Sequence, residues 1–325
     1  LPHCAFLTLD DPTGFVIDDA LAIAPLADLG WQVSELSWRQ TEVPWNGFDA
    51  IIIRSTWDYQ AHSDEFLRVL EAIDRGPARL ANSLPLVRWN LSKLYLKELD
   101  KNGVPIVPTL WDDAVEAADF AKWFEELGAP ELVIKPVVGA NGDFAYRVNV
   151  DDDHLRLAEI AEHHDGEMFM VQPFMHSVIS EGEFSLFFFN EQYSHAILKT
   201  PAQGEFRSQE ERGSSLAAIK PSDRLLHRAH QAMDEVMGRG EGAAPTKVSE
   251  RRDAGVGAAP RRESASQGVA TPPLYARVDL VRDAHDDFRI MEVELIEPAL
   301  YLRMDPGAPG RFARAIDEWY ESGMA

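Results

Sequence analysis

The chain has one cysteine, Cys4, among its 325 residues. A lone thiol excludes an internal disulfide and a cysteine-built metal site, and it suits a reducing cytoplasm. Basic residues are scarce: 31 Lys and Arg face 54 Asp and Glu, for a formal net charge of −23. That imbalance opposes non-specific binding to nucleic acid or to an anionic membrane, although a locally basic cleft for a small anion remains open. No apolar run approaches the ~20 residues that span a bilayer. The start, Leu1-Pro2-His3-Cys4, carries neither an initiator Met nor a basic region followed by an apolar stretch, so we read no export signal there. A nucleophile elbow, a His-Glu-x-x-His helix and a dinucleotide-type glycine turn are also missing. Single histidines such as His176 and His195 read as structural.

The length calls for two or three domains. Residues 4–9, 31–36 and 49–54 read as strands, with a helix over 18–30 between the first two. Strand, helix, strand and strand predict a small parallel sheet with helices on its faces. Ligands gather at the carboxyl ends of such strands, which marks Arg54, Ser55, Thr56, Trp57 and Asp58 as candidate substrate contacts. Asn90 can cap a helix whose apolar stripe is Leu91, Leu94, Tyr95 and Leu99, leaving Lys93 off the stripe, in solvent or in a cleft. A helix over 113–127 precedes a strand at 131–136 that ends in Lys135-Pro136. The small loop Val138-Gly139-Ala140-Asn141-Gly142-Asp143 and a strand restarting at 144–150 make this a hairpin with a glycine-containing tip. Strands follow at 168–171, 183–189 and 195–200, then a helix over 225–237. Residues 239–273 are rich in Gly, Ala, Pro, Ser and Arg and read as a disordered insertion. Strands at 274–281 and 288–295 and a helix over 311–321 close the chain.

The chemistry concentrates in that last stretch. Alternation puts Glu292 and Glu294 on one strand face and Met291, Val293 and Leu295 on the other. Asp279 sits mid-strand in the preceding segment. If the two strands pair, three carboxylates converge, and burying them together is costly without a cation. Hard oxygen donors suit Mg²⁺ or Mn²⁺, especially beside phosphates. Arg277 shares the face of Asp279 and is suited to holding a transferring phosphoryl group. Lys135 ends an apolar strand, where a lysine is rare without an anionic partner. Arg207 lies in a polar segment after a strand, and a plain surface loop is an equal reading of it.

Taken in order, these pieces resemble the ATP-grasp ligases, in the branch that holds bacterial glutathione synthetase and the O-ureido-serine cyclo-ligase of cycloserine biosynthesis. The resemblance is carried by Arg54-Ser55-Thr56-Trp57-Asp58-Tyr59, Asn90-Leu91-Ser92-Lys93, Ile134-Lys135-Pro136, Gln172-Pro173-Phe174 and Glu292-Val293-Glu294. It implies an ATP-grasp fold, α/β plus α+β, with a small parallel-sheet N-terminal domain at 1–88, a central domain at 89–175 and a C-terminal domain at 176–325. It implies ATP contacts by Lys93, Lys135, the loop Gly139, Asn141 and Gly142, the segment Gln172, Pro173, Phe174 and Met175, and Glu183 at the ribose. It implies two Mg²⁺ ions on Asp279, Glu292 and Glu294, with Arg207 and Arg277 neutralising charge during transfer. The implied partners are a small-molecule carboxylate and an amine. An intramolecular cyclo-ligase, a catalytically silent ATP-binding module and a small-molecule kinase stand as alternatives, and a homo-oligomer is compatible with all of these. Glutathione synthetase has Asn where Glu294 stands, and the loop here has fewer glycines than in many relatives.

The insertion lacks a periodic apolar face, so it cannot add to a core. Doubling a surface loop costs only ~0.6 kcal/mol. A variant joining Gly238 to Leu274 through a short turn is expected to keep ATP turnover, measured as ADP release. Loss of turnover in a folded deletion variant would assign the segment a role.

Overall fold

The computed structural model describes residues 1–116, 118–139, 142–164, 166–239 and 272–323. Most of the segment read as an insertion, and Asn141, lie outside the described residues. Three sheets organise the rest. The first is parallel, in the order β2-β1-β3-β4, from β1 (His3–Thr8), β2 (Gln32–Ser37), β3 (Ala50–Ile53) and β4 (Arg79–Ala81). Its wholly buried β3, Ala-Ile-Ile-Ile, is the continuous apolar run that a sheet covered on both faces requires. The expected helix over 18–30 is shorter: a 3₁₀ turn at Asp19–Ala22 leads into α1 (Ile23–Asp28). On the sheet also pack α2 (Ser63–Asp74) and α3 (Leu84–Asn90).

The second sheet is antiparallel, in the order β5-β8-β6-β7, from β5 (Leu110–Asp112), β6 (Glu131–Pro136), β7 (Tyr146–Asn149) and β8 (Phe169–Pro173). The hairpin of β6 and β7 is the expected one. β6 turns Leu132 and Ile134 into a core shared with α5 (Asp119–Leu127) and α6 (His154–His164), while Val133 and Lys135 face the opposite way. α5 starts at Asp119, later than the expected 113–127. β8 continues through Pro173, which pairs with Leu132, where the sequence suggested an interruption. Pro173 lacks an N–H but stands at the strand's end, where no further ladder donor is needed.

The third sheet is antiparallel, in the order β11-β10-β9-β12-β13. Its strands are β9 (Glu183–Phe189), β10 (Gln192–Thr200), β11 (Ser215–Ile219), β12 (Tyr275–Arg282) and β13 (Phe288–Glu294). One face packs on α4 (Tyr95–Lys101) and α8 (Asp223–Arg239), burying Leu186, Phe188, Val278, Leu280 and Val293. Part of the other face, through Phe187, Phe189 and Tyr275, packs on α9 (Ala308–Ser322) and on the first sheet's Phe6 and Ile52.

β13 is an edge strand, and an uncovered edge exposes unpaired N–H and C=O groups. Here side chains cap it. Asn90 Nδ2 donates to the Val293 carbonyl and its Oδ1 accepts from Leu295 N, both at 2.8 Å. Tyr95 Oη accepts from Val293 N at 2.8 Å. Asn82 Nδ2 donates to the Leu295 carbonyl at 2.7 Å. Further along, Ile290 exchanges backbone hydrogen bonds with Pro105 and Val107. Asn90 therefore ends α3 and staples an edge, where the sequence suggested that it begins a helix.

Arg54 is 0% exposed. Its guanidinium pairs with Asp19 at 2.9 Å, donates to the Pro298 carbonyl at 2.9 Å and lies over the Tyr275 ring at 4.9 Å. Replacing one partner of a buried ion pair strands the other charge. Arg54→Ala is therefore expected to cost about 3–5 kcal/mol of stability in urea unfolding. The double variant Arg54→Ala/Asp19→Ala should cost less than the sum of the single changes. Additive losses would mean that the pair does not carry the effect.

Candidate functional site

The open part of the third sheet's polar face looks across a cleft to β6 and β8. Register explains the composition of this face. On β12 and β13, Asp279 stands opposite Glu292 and Arg277 opposite Glu294. On β9 and β12, Ser185 stands opposite Asp279, and on β9 and β10, Glu183 stands opposite Lys199. A register shift between Asp279 and Leu280 makes Met291 an extra residue of β13. Val293 and Leu295 enter the core as expected. Met291 lines the cleft instead, because a bulge breaks the two-residue alternation.

The charges on this face are cross-linked. Lys93 Nζ pairs with Glu292 at 2.8 Å and donates to the Gly139 carbonyl at 2.6 Å. Its side chain is only 11% exposed, so it lies in the cleft and is not a surface lysine. Arg277 pairs with Asp279 at 2.9 Å and also with Glu294. Lys199, which the sequence reading passed over, pairs with Glu183 and lies 3.6 Å from Asp279. Ser208 donates to the other Glu183 oxygen and Ser185 to Asp279. The signal for Lys199 was available: it ends a strand otherwise rich in apolar residues, as Lys135 does. Among the described residues, no ion pair or hydrogen bond takes the Lys135 ammonium. Burial lowers its affinity for a proton, with Lys93 adding to the effect, while Glu292 and Glu183 oppose it.

Electrostatics follow from burial and pairing. Burial raises the Lys93 cost of charge, yet Glu292 more than offsets it and the ammonium is held above its usual range. Burial likewise opposes ionisation of Asp279, but Arg277 and Lys199 overcome it and keep the carboxyl low. Glu294 is pushed up to about 8, first by burial, with Arg277 pulling down and Glu292, Asp279 and Glu297 pushing up. Hard oxygen donors on adjacent strands have the right chemistry for Mg²⁺, and an excess of buried carboxyl groups is what a divalent cation relieves. Among the described residues, no three His, Cys, Asp or Glu side chains are drawn together into a metal cage. Each of the three expected carboxylates instead turns toward a cationic side chain.

On the opposite wall stand Lys135, Gln172, Pro173, Phe174 and Met175. The Phe174 N–H is already bonded to the Glu131 carbonyl at 2.8 Å. Gly139 and Gly142 also line the cleft, and the loop rests on Arg207. Gly142 has φ +65°, and a Cβ there would lie 2.8 Å from Arg207 Cδ, so both backbone and space call for glycine. Arg207 is itself bonded to Glu205 at 2.8 Å.

The candidate substrate segment divides. Trp57 reaches the cleft. Arg54, Ser55 and Thr56 are fully buried away from its lining, and Asp58 accepts a hydrogen bond from Trp38 Nε1 at 2.6 Å. For Arg54 this corrects the sequence reading: its guanidinium is consumed by Asp19 and by main-chain carbonyls. Two neighbours that the reading missed, Tyr59 and Glu297, do line the cleft.

Comparison with known proteins bears on the same two regions. Residues 4–82 match the family model "D-cycloserine synthetase DcsG, N-terminal domain", and residues 107–241 match "Prokaryotic glutathione synthetase, ATP-grasp domain". The chain is 33% identical over 291 residues to the cycloserine biosynthesis protein DcsG of Streptomyces lavendulae, covering 85% of each. The crystal structure of D-cycloserine synthetase DcsG superposes with a TM-score of 0.77 at 25% identity, covering 98% of this chain and 99% of that one. A more distant neighbour in fold is the ATP-grasp ligase PsnB, complexed with a phosphomimetic variant of its minimal precursor, Mg and ADP. It has a TM-score of 0.60 at 13% identity, covering 98% and 99% of the two chains. By sequence over most of its length and by fold over nearly all of it, the chain belongs to the ATP-grasp ligases, ADP-forming carboxylate–amine ligases that use ATP and Mg²⁺.

Proposed function

We propose that this chain activates the carboxylate of an amino-acid-like small molecule as an acylphosphate and closes it with a nitrogen nucleophile of the same molecule. The observation that carries the reading is the cross-linked charge face. Lys93 and Arg277 neutralise Glu292, Asp279 and Glu294, and both cations have the chemistry to take phosphate oxygens instead. Entry of the nucleotide would draw Lys93 and Arg277 to its phosphates and free the three carboxylates as metal ligands. Lys135, whose ammonium has no partner among the described residues, would meet the nucleotide as well. Glu183 would meet the ribose, and the loop over Gly139 and Gly142 would cover the phosphates against Arg207. Bound Mg²⁺, two ions in this reading, supplies neutralisation of charge on the phosphates.

The reaction balances simply. A substrate carboxylate oxygen attacks the γ-phosphorus in line, and the bond from that phosphorus to the β,γ-bridging oxygen breaks, releasing ADP. The nitrogen then attacks the acyl carbon, the carbon–oxygen bond to phosphate breaks, and the nitrogen gives up a proton. The protein's part is positioning and charge neutralisation, with no covalent step on the enzyme. Closure within one substrate is favoured over joining two because residues 4–82 match the D-cycloserine synthetase N-terminal domain model. We further assign domains to 1–88, 89–175 and 176–325, each built around one of the three sheets. A cytoplasmic site of action agrees with the lone, buried Cys4, and among the described residues no helix is long and apolar enough to cross a membrane.

Turnover is expected to require Mg²⁺ or Mn²⁺ and to yield ADP and phosphate. Hydroxylamine added during turnover should trap a hydroxamate. Glu292→Gln keeps the shape and removes a charge, and its expected cost is on the order of 100-fold in kcat, about 2.7 kcal/mol of barrier. AMP and pyrophosphate as products, or full activity in Glu292→Gln, would overturn the reading. A stable phosphorylated product without hydroxamate would make the protein a kinase.

A further inference from the structure

Directly after β13 the chain continues as Leu295-Ile296-Glu297-Pro298. Glu297 lines the cleft yet is only 8% exposed. A carboxylate buried to that degree ordinarily has a cationic partner. Among the described residues none lies within ion-pairing distance of Glu297, and the nearby Lys93 ammonium is already engaged by Glu292 and the Gly139 carbonyl. The contacts it does have come from the N-terminal part of the chain. Gln60 Nε2 donates to Glu297 Oε1 at 3.1 Å, and Tyr59 lines the cleft with it. Trp57 Nε1 donates to the Glu297 carbonyl at 2.8 Å. Tyr59 is itself stacked on Phe66, with ring centroids 4.6 Å apart, and Trp57 lies against Phe15 at 5.2 Å. The carboxyl is therefore aimed by rigid aromatic neighbours and left without a counter-charge.

We infer that Glu297, oriented by Tyr59 and Gln60, binds the ammonium group of an amino-acid substrate, with Phe15 and Trp57 as walls of that subsite. The inference rests on the ligase reading and names what the cleft selects: α-ammonium carboxylates over simple carboxylates. Three features agree. An ammonium supplies the missing positive charge, where a second anion would be repelled. The residues that orient Glu297 lie within the stretch that matches the D-cycloserine synthetase N-terminal domain, apart from the stretch that matches the glutathione synthetase ATP-grasp domain. Burial also pushes the Glu297 carboxyl up to about 7, against the opposing pull of Tyr59 and Lys93, and a bound cation would offset that cost.

The test compares O-ureido-serine with its des-amino analogue, 3-(ureidooxy)propanoate, in wild type, Glu297→Gln and Glu297→Asp. ADP release and hydroxamate trapping are the readouts. Wild type is expected to prefer the amino compound by on the order of 100-fold in kcat/KM. Glu297→Gln should lose most of that preference through a raised KM for the amino compound, with the KM for ATP little changed. Glu297→Asp, which keeps the charge, should restore part of it. An equal loss on both compounds, or a shift in the KM for ATP or in the Mg²⁺ requirement, would overturn the inference and leave the ligase reading standing. If Glu297→Gln does not fold, the result is read from Glu297→Asp and Tyr59→Phe: unchanged preference in both would overturn the inference. A wild-type enzyme that turns over neither compound and traps no hydroxamate would instead sink the proposed ring-closing reading, and this inference with it.

Discussion

The free edge of β13 is the constraint on which this molecule depends. An edge strand must have its outward N–H and C=O groups satisfied, or it is left frayed or open to pairing with another chain. Here two asparagines and a tyrosine do that work from outside the sheet: Asn82, Asn90 and Tyr95 bond Val293 and Leu295. Because these residues belong to α3, α4 and the segment beside β4, the same bonds that complete the sheet also hold the first sheet's end of the chain against it. The bulge at Met291 and the pairing of Asp279 with Glu292 then set which side chains face the cleft. Loosening the edge would therefore disturb the carboxylates as well as the fold.

The cleft face is held in a balance that suits a site awaiting a charged ligand. Burial pushes the Glu294 and Glu297 carboxyls up, and the neighbouring Glu292 adds to the push on both. Glu292, Asp279, Glu294 and Glu183 each have a cationic partner, while the Lys135 ammonium and the Glu297 carboxyl have none among the described residues. The face also has chemistry to exchange, because lysine and arginine pair as readily with phosphate as with carboxylate. The N-terminal residues Trp57 and Tyr59 complete the cleft from the other side, Gln60 bonds Glu297, and Arg54 locks that segment in place through Asp19 and the Pro298 carbonyl.

Much of this was legible in the sequence, and the exceptions have definite causes. The parallel sheet, the β6–β7 hairpin, β9 and the pair β12–β13 follow from alternation and apolar runs, which are local properties. β4, β5, β11, α2, α3 and α6 escaped notice. Of the strands, β4 and β5 are only three residues long and β11 is largely exposed, so neither burial nor period marks them. Most expected residues of the nucleotide and metal groups do line one cleft. Met291 was assigned to the wrong face because a bulge cannot be seen from alternation.

By itself the sequence determined which chemistry the chain carries: lysines ending apolar strands, acids alternating along a late strand, and no enzyme nucleophile in a recognisable setting. These are statements about residue type and near-neighbour spacing, and they survive any packing. Only the tertiary structure decided the fate of side chains whose partners are far along the chain. Arg54 looked outward from a strand end, but its bond partner Pro298 is 244 positions away and the closure of α9 over it leaves no solvent. Lys199 and Glu297 became part of the cleft for the same reason. A charged side chain is defined by the nearest opposite charge and by the water it loses, and both are set when distant segments meet.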